Sequence, residues 1–194
     1  MVGAALAFDG KSQWAEAPPE PGFDVAEEDF AIECWLRTAD GARIRNIADK
    51  RDAQPKGYLL FLQRGRVGFQ VAGAASLAVV LAESRPIADN RWHHVVAVSR
   101  RLPPSPPTIY VDGVLAAKGT RNVPLDDLDN KARVWLGRHH ANEVVPRDDI
   151  YFEGAIDEFT VYRRALDPAE IRALYRAGAA GKCHAPRSVR PARK

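Results

Sequence analysis

The chain has 194 residues and a mass of 21.4 kDa, the size of one ordinary domain or one large β-sandwich, because β domains commonly run near 200 residues as a single unit. Its 46% hydrophobic and 27% charged residues are those of an ordinary globular chain and exclude wholesale disorder, a collagen repeat and a coiled coil. The net charge of +3 comes from the end: Lys182, Arg187, Arg190, Arg193 and Lys194 stand there without an acid, and taking these five from 28 basic residues leaves 23 against 25 acidic. A nearly neutral body lacks the cations on one face that nucleic-acid binding needs. No apolar run approaches the roughly 18 residues of a spanning helix, so no membrane insertion is expected, and Met1 to Gly10 lacks the basic start and apolar stretch of a signal peptide.

Along the chain the recurring signal has period two. In Phe30 to Arg37 one parity carries Phe30, Ile32, Cys34 and Leu36 and the other Ala31, Glu33, Trp35 and Arg37, the pattern of a strand with one buried face. Further short β-like runs are Tyr58 to Gln63, Arg66 to Val71, Leu77 to Leu81, Trp92 to Ser99, Thr108 to Val111, Val134 to Leu136 and Ala155 to Tyr162. Arg64-Gly65 and Asp112-Gly113 are tight hairpin connections, since a type I′ turn needs positive φ at both central residues. Pro18 to Glu28 and the proline-stiffened Arg101 to Pro107 read as ordered loops. Asp167-Pro168-Ala169-Glu170 supplies an N-cap, a proline at the first helical position and a capping-box glutamate. Ile171, Leu174 and Tyr175 then give an apolar stripe before Gly178. The expectation is an all-β fold, a two-sheet antiparallel sandwich with one short C-terminal helix, ending near Ala180, with residues 181–194 as a basic flexible tail.

Leu6-Ala7-Phe8-Asp9-Gly10, Phe30 to Leu36, Asn90-Arg91-Trp92-His93-His94-Val95-Val96, Ile109-Tyr110-Val111-Asp112-Gly113 and Phe152 to Tyr162 with Arg164-Ala165-Leu166 and Glu170-Ile171 follow one another in a telling order. In that order and spacing they resemble the laminin G-like, concanavalin A-like lectin/glucanase jelly-roll domains, over about residues 4–178. The resemblance implies two antiparallel sheets face to face, one concave, in a superfamily of lectins, pentraxins, carbohydrate-binding modules and some glycosidases. Fold alone does not choose among these.

In the resembling family, acids placed like Asp9 and Asp157 often help hold a structural calcium where the first and last strands meet, or accept backbone amide hydrogens. Calcium takes six to eight oxygens, so two carboxylates with main-chain oxygens could hold it. Where pentraxins carry their acid-rich calcium site, this chain reads Arg138-His139-His140-Ala141-Asn142-Glu143, which departs from that pattern. The Glu-x-Asp-x-Glu strand motif of the glucanase members is absent, and the adjacent acids Asp157 and Glu158 point to opposite faces of a regular strand. Phosphate-loop, nucleophile-elbow and zinc-protease motifs are absent as well, so no catalytic residue is assigned.

His93 and His94 alternate across a strand and cannot chelate one ion together, while His139-His140 lies in a loop. Trp92 and Trp135 are expected to fill the space between the sheets. Cys34 is read as a buried thiol; whether it pairs with Cys183 depends on geometry that spacing does not supply. The expected function is a non-catalytic binding or adhesion module for a glycan or protein surface, in an extracellular or cell-envelope protein. Arg138, His139, Asn142 and Tyr151 are the loop residues expected to meet the ligand. A glycan-active hydrolase or lyase and a structural spacer are the competing readings, separated by whether the concave face carries a carboxyl pair.

Overall fold

A computed structural model describes residues 5–17, 21–52, 56–139 and 150–178. In chain order the elements are β1 (Leu6–Asp9), β2 (Ala15–Ala17), β3 (Phe30–Arg37), β4 (Ile44–Arg51), β5 (Gly57–Gln63), β6 (Arg66–Ala72), β7 (Leu77–Pro86), β8 (Trp92–Ser99), β9 (Thr108–Val111), β10 (Val114–Lys118), β11 (Val134–Leu136), β12 (Glu153–Tyr162) and α1 (Pro168–Ala177). They form two six-stranded antiparallel sheets, β1-β12-β3-β8-β9-β10 and β2-β11-β4-β5-β6-β7. Each inward parity joins one core: Ile32, Cys34 and Leu36 from β3 meet Leu60, Leu62 and Phe69 from the opposite sheet, all inaccessible to solvent. At about 25 cal/mol per Å² of apolar area, this layer dominates the stability of the domain.

Two features of the strands depart from the expectation. β3 is buried on both faces, because α1 lies across the outer face of the first sheet and Leu166 and Ile171 pack there against Ala31, Val96 and Val98. The helix begins as its sequence requires: Asp167 Oδ1 accepts the amides of Ala169 and Glu170, and the Glu170 carboxylate returns to the Asp167 amide. β12 is not regular at its acids. A bulge between Asp157 and Thr160 puts Glu158 at φ +52°, so simple alternation does not describe Asp157 and Glu158. β4 was not legible as a strand. Its Ile-Arg-Asn-Ile-Ala-Asp-Lys-Arg is mostly polar, yet it is buried from Arg45 to Arg51 because the charges are paired: Arg45 with Asp40, Lys50 with Asp24 and Arg51 with Asp49.

Both predicted hairpin turns hold left-handed backbone, Arg64-Gly65 at φ +52° and +72° and Asp112-Gly113 at +52° and +73°. The second is tied down by its own carboxylate: Asp112 Oδ1 accepts the His94 amide and Oδ2 lies 2.9 Å from His93 Nδ1, while His93 Nε2 lies 3.0 Å from Asp89 Oδ1. The hydrogen bond to Asp112, and then that to Asp89, raise the His93 pKa above its ordinary 6.5, against the opposing effect of burial. A pKa higher in the folded than in the unfolded state means stabilisation that is complete below about 6.5 and fades as pH rises through the folded value. The stability difference between the parent chain and His93→Gln is therefore expected to shrink from pH 5.5 to pH 8.5. Urea unfolding at both pH values measures it, and a difference that grows with pH would contradict the assignment.

The loops at one end of the sandwich converge on Arg101, which is fully buried. Its Nε donates to Pro124 O at 2.9 Å, Nη1 to Ala26 O and Nη2 to Asp126 O, while its amide donates to Asp29 Oδ1. α1 lies on the outer face of the first sheet, and the outer face of the second sheet carries Trp135 and Asp49.

Candidate functional site

One row crosses the outer face of the second sheet from Glu16 through Trp135, Asp49, Leu59 and Gln70 to Val79, buried at Trp135, Asp49 and Leu59 and exposed at both ends. Alternation decides which residues reach it: Leu136 and Ala48, the inward neighbours of Trp135 and Asp49, pack into the core, so the row points away. Trp135 is accordingly not between the sheets as its strand position suggested. It is 7% exposed on the outer face, where its cover is Arg138. Trp92 also leaves the core, half-buried with the Arg37 guanidinium 5.4 Å from its ring centroid.

Gly137 turns the chain back over the sheet. Its φ is +81°, and a Cβ there would lie 2.7 Å from the Phe8 ring, so glycine is required on both counts. The turn delivers Arg138 between two indoles, its guanidinium carbon 4.7 Å from the Trp14 centroid and 4.6 Å from that of Trp135. Cation–π contact on both sides holds the charge in a nearly dry place, and Nε has no hydrogen-bond partner among the described residues. Trp14 keeps 44% of its surface in solvent, with Tyr151 beside it at 6.5 Å between centroids and a tilt of 48°. Beneath them Asp49 is fully buried and takes both Nε and Nη2 of Arg51, at 2.8 and 2.9 Å. Arg51 Nη2 also lies 2.7 Å from His139 Nε2. Because a guanidinium keeps its protons, Nε2 is the acceptor, and His139 carries its hydrogen on Nδ1.

Of the residues expected to meet a ligand, Arg138, His139 and Tyr151 are thus gathered at one corner of the second sheet, and Asn142 lies outside the described residues, as do His140 and Cys183. Trp14, Asp49 and Arg51 belong to the same corner and were missed. Trp14 sits in a segment with no periodic signal, and Asp49 and Arg51 on a strand hidden by its charges.

Asp9 and Asp157 are not brought together. Asp9 pairs with Glu153 and Asp157 lies four residues further along β12, about 13 Å at strand spacing. Asp9 Oδ1 accepts the amides of Lys11, Ser12 and Gln13 and Oδ2 the Ser12 hydroxyl, and these hydrogen bonds hold its carboxyl far below the usual range. Asp157 Oδ1 accepts the Glu158 amide, and its Oδ2 is buried without a partner among the described residues. As a pair they do not fit one calcium ion, and no group of three or more metal-ligating side chains occurs among the described residues. On the outer face of the second sheet Glu16 and Asp49 flank Trp135 at two strand spacings, about 10 Å, against roughly 5 Å for a retaining glycosidase pair. The indole stands between them, and Arg133 and Arg51 neutralise them.

A family model described as the concanavalin A-like lectin/glucanases superfamily, of laminin G type, matches residues 9–172. The chain belongs to that superfamily. It is 26% identical over 174 residues to a botulinum-like toxin, eBoNT/J, from an Enterococcus species, covering 78% of this chain and 12% of the toxin. Among solved structures, the binding domain of Paraclostridial Mosquitocidal Protein 1 superposes with a TM-score of 0.69 at 17% identity, over 88% of this chain and 42% of that one. The ligand-binding domain of botulinum neurotoxin serotype D, solved with N-acetylneuraminic acid, gives 0.67 at 13% identity, over 90% and 42%. Mouse laminin α1 domains LG4-5 give 0.63 at 20% identity, over 87% and 45%. The chain therefore spans about an eighth of the toxin and less than half of each solved relative, and the likeness to the solved structures is one of fold. No helix among the described residues is long and apolar enough to cross a membrane.

Proposed function

We propose that this chain is a non-catalytic recognition module, acting outside the cell or at its envelope, which binds a glycan through the corner built by Trp14, Tyr151, Arg138 and His139. The observation that carries this reading is Trp14: a large indole, 44% exposed, backed on the sheet side by a buried guanidinium and flanked by a second aromatic ring. Such a ring offers a flat apolar face to the C–H side of a sugar, and the cation behind it adds attraction for an acidic substituent. Toxin domains of the same fold that are solved as binding domains support a ligand-binding role, and the separation and neutralisation of Glu16 and Asp49 on the outer face of the second sheet support a non-catalytic one.

Screening the full chain on a glycan array and repeating the screen with Trp14→Ala tests the reading. Loss of the indole is expected to weaken the leading glycan about tenfold, the equivalent of roughly 1.4 kcal/mol, with the fold retained by circular dichroism and a modestly lower melting temperature from the lost contact with Arg138. Equal binding by both chains would move the site elsewhere, and release of reducing ends from any arrayed polysaccharide would replace recognition by catalysis. Thermal unfolding in excess calcium and in excess chelator separates a metal-holding role for Asp9 or Asp157 from backbone hydrogen bonding alone.

A further inference from the structure

A second cleft lies on the other side of the molecule, beside α1 on the outer face of the first sheet. It encloses about 280 Å³ between β8, β9, β10 and the segment after β8, with Arg100, Ser105, Thr108, Tyr110, Leu115 and Lys118 in its lining. Its chemistry is one-sided. Two cations line it and no carboxylate does.

Both cations have capacity to spare. Lys118 makes no ion pair with any described residue, and Arg100 spends one nitrogen on Leu166 O at 3.2 Å. The acids at the start of the helix are already committed: Asp167 caps it, and Glu170, whose carboxylate feels the Arg100 charge, is held down to about 2 by its hydrogen bond from Arg164 and by the Asp167 amide. The first free amides of α1 are likewise taken by Asp167, so the helix terminus is not what makes the cleft attractive to anions. The hydroxyls of Ser105, Thr108 and Tyr110 have no hydrogen-bond partner among the described residues. Apolar surface completes the lining: Leu115 is 52% exposed, and the Tyr110 ring is half-buried.

We infer that this cleft is a second binding site, independent of the Trp14 corner, for a sugar residue bearing a carboxylate or sulfate. Arg100 and Lys118 take the oxyanion, the three hydroxyls meet ring hydroxyls, and Tyr110 with Leu115 receives the apolar side of the ring. The volume sits at the small end of ligand sites, which suits one or two sugar residues and excludes a peptide helix or an extended aromatic system. Arginine suits the oxyanion because its planar fork can give two parallel hydrogen bonds, whereas lysine adds a point charge.

The test is titration of the isotope-labelled full chain with a sulfated uronic-acid disaccharide, with cellobiose as the neutral probe and inorganic sulfate as the bare anion. Saturable amide shifts at Thr108, Tyr110 and Lys118 are expected with the acidic disaccharide, weakening as salt rises, and only weak shifts with sulfate or cellobiose. Arg100→Gln/Lys118→Gln is expected to lower affinity about tenfold or more, while Lys11→Gln/Arg43→Gln, an equal charge change at exposed positions elsewhere, leaves it unaltered. Absence of shifts in the cleft, cellobiose binding as tightly as the acidic probe, or equal losses in both double variants would overturn the inference. Loss in Trp14→Ala with retention in Arg100→Gln/Lys118→Gln would assign the acidic sugar to the Trp14 corner instead.

Discussion

Arg101→Met is expected to lower the unfolding free energy by about 3–5 kcal/mol, because it removes the donors of several buried acceptors at once. The guanidinium sits inside the loop end of the sandwich with no solvent exposure and gives a hydrogen bond to each of three carbonyls, on Ala26, Pro124 and Asp126. These belong to two segments far apart in sequence, the β2–β3 connection and the chain before β11. Methionine fills much of the same volume, yet it leaves three carbonyls facing an apolar chain and also removes a positive charge near Glu27, Asp29, Asp126 and Asp127. Arg101→Lys is expected to recover only part of the loss, since one ammonium cannot address three carbonyls laid out around a planar fork. Urea denaturation of the three proteins measures both effects. A midpoint for Arg101→Met indistinguishable from the parent would show that these loops are held by something other than this side chain.

The second large effect is expected under α1. Glu33 and His94, 1% and 0% exposed, share a hydrogen bond of 3.0 Å between Oε1 and Nε2, and the Tyr162 hydroxyl donates to Glu33 Oε2 at 2.5 Å. Burial, and then the bond to Glu33, raise the Tyr162 hydroxyl pKa well above its usual value, so it stays a donor throughout the ordinary pH range. Trp35 and Tyr175 close the site, with Tyr175 stacked on both Trp35 and His94. Glu33→Leu removes the acceptor of the His94 and Tyr162 hydrogen bonds and His94→Leu removes a buried donor to Glu33, so each is expected to cost about 2–4 kcal/mol. Glu33→Leu/His94→Leu is expected to cost less than the sum by at least about 1 kcal/mol, because removing both partners of a buried contact leaves fewer unmet groups than removing one. Strictly additive losses in a double-mutant cycle would mean that the contact carries no coupling.

The fold was legible where local pattern and tertiary burial agree. Asp112-Gly113 needs nothing beyond its own backbone preference to make a turn, and Asp167 to Glu170 carries the whole of a helix start within four residues. β4 shows the opposite case. Part of its burial rests on Asp24 and on His139 after β11, both far from it in sequence, so its charges read as a solvated surface until those partners are placed.

The candidate site divides the same way. Arg138, His139 and Tyr151 could be expected together because they lie in the segments that flank a strand end, and Trp14, which joins them at that corner, could not, because nothing near it in sequence marks it. What the amino-acid order alone determined is the run of short strands, the two tight turns and the C-terminal helix, since each depends on contacts or periodicities within a few residues, while the lectin-like superfamily was legible only as a resemblance carried by the order of motifs along the whole domain. Which sheet face α1 lies on, that Trp135 turns outward, that Asp9 and Asp157 stand apart, and that Arg138 rests between two indoles were decided only by the packed chain. Those outcomes depend on register and on helix docking, and a one-residue change of register exchanges the inner and outer faces without altering the local pattern.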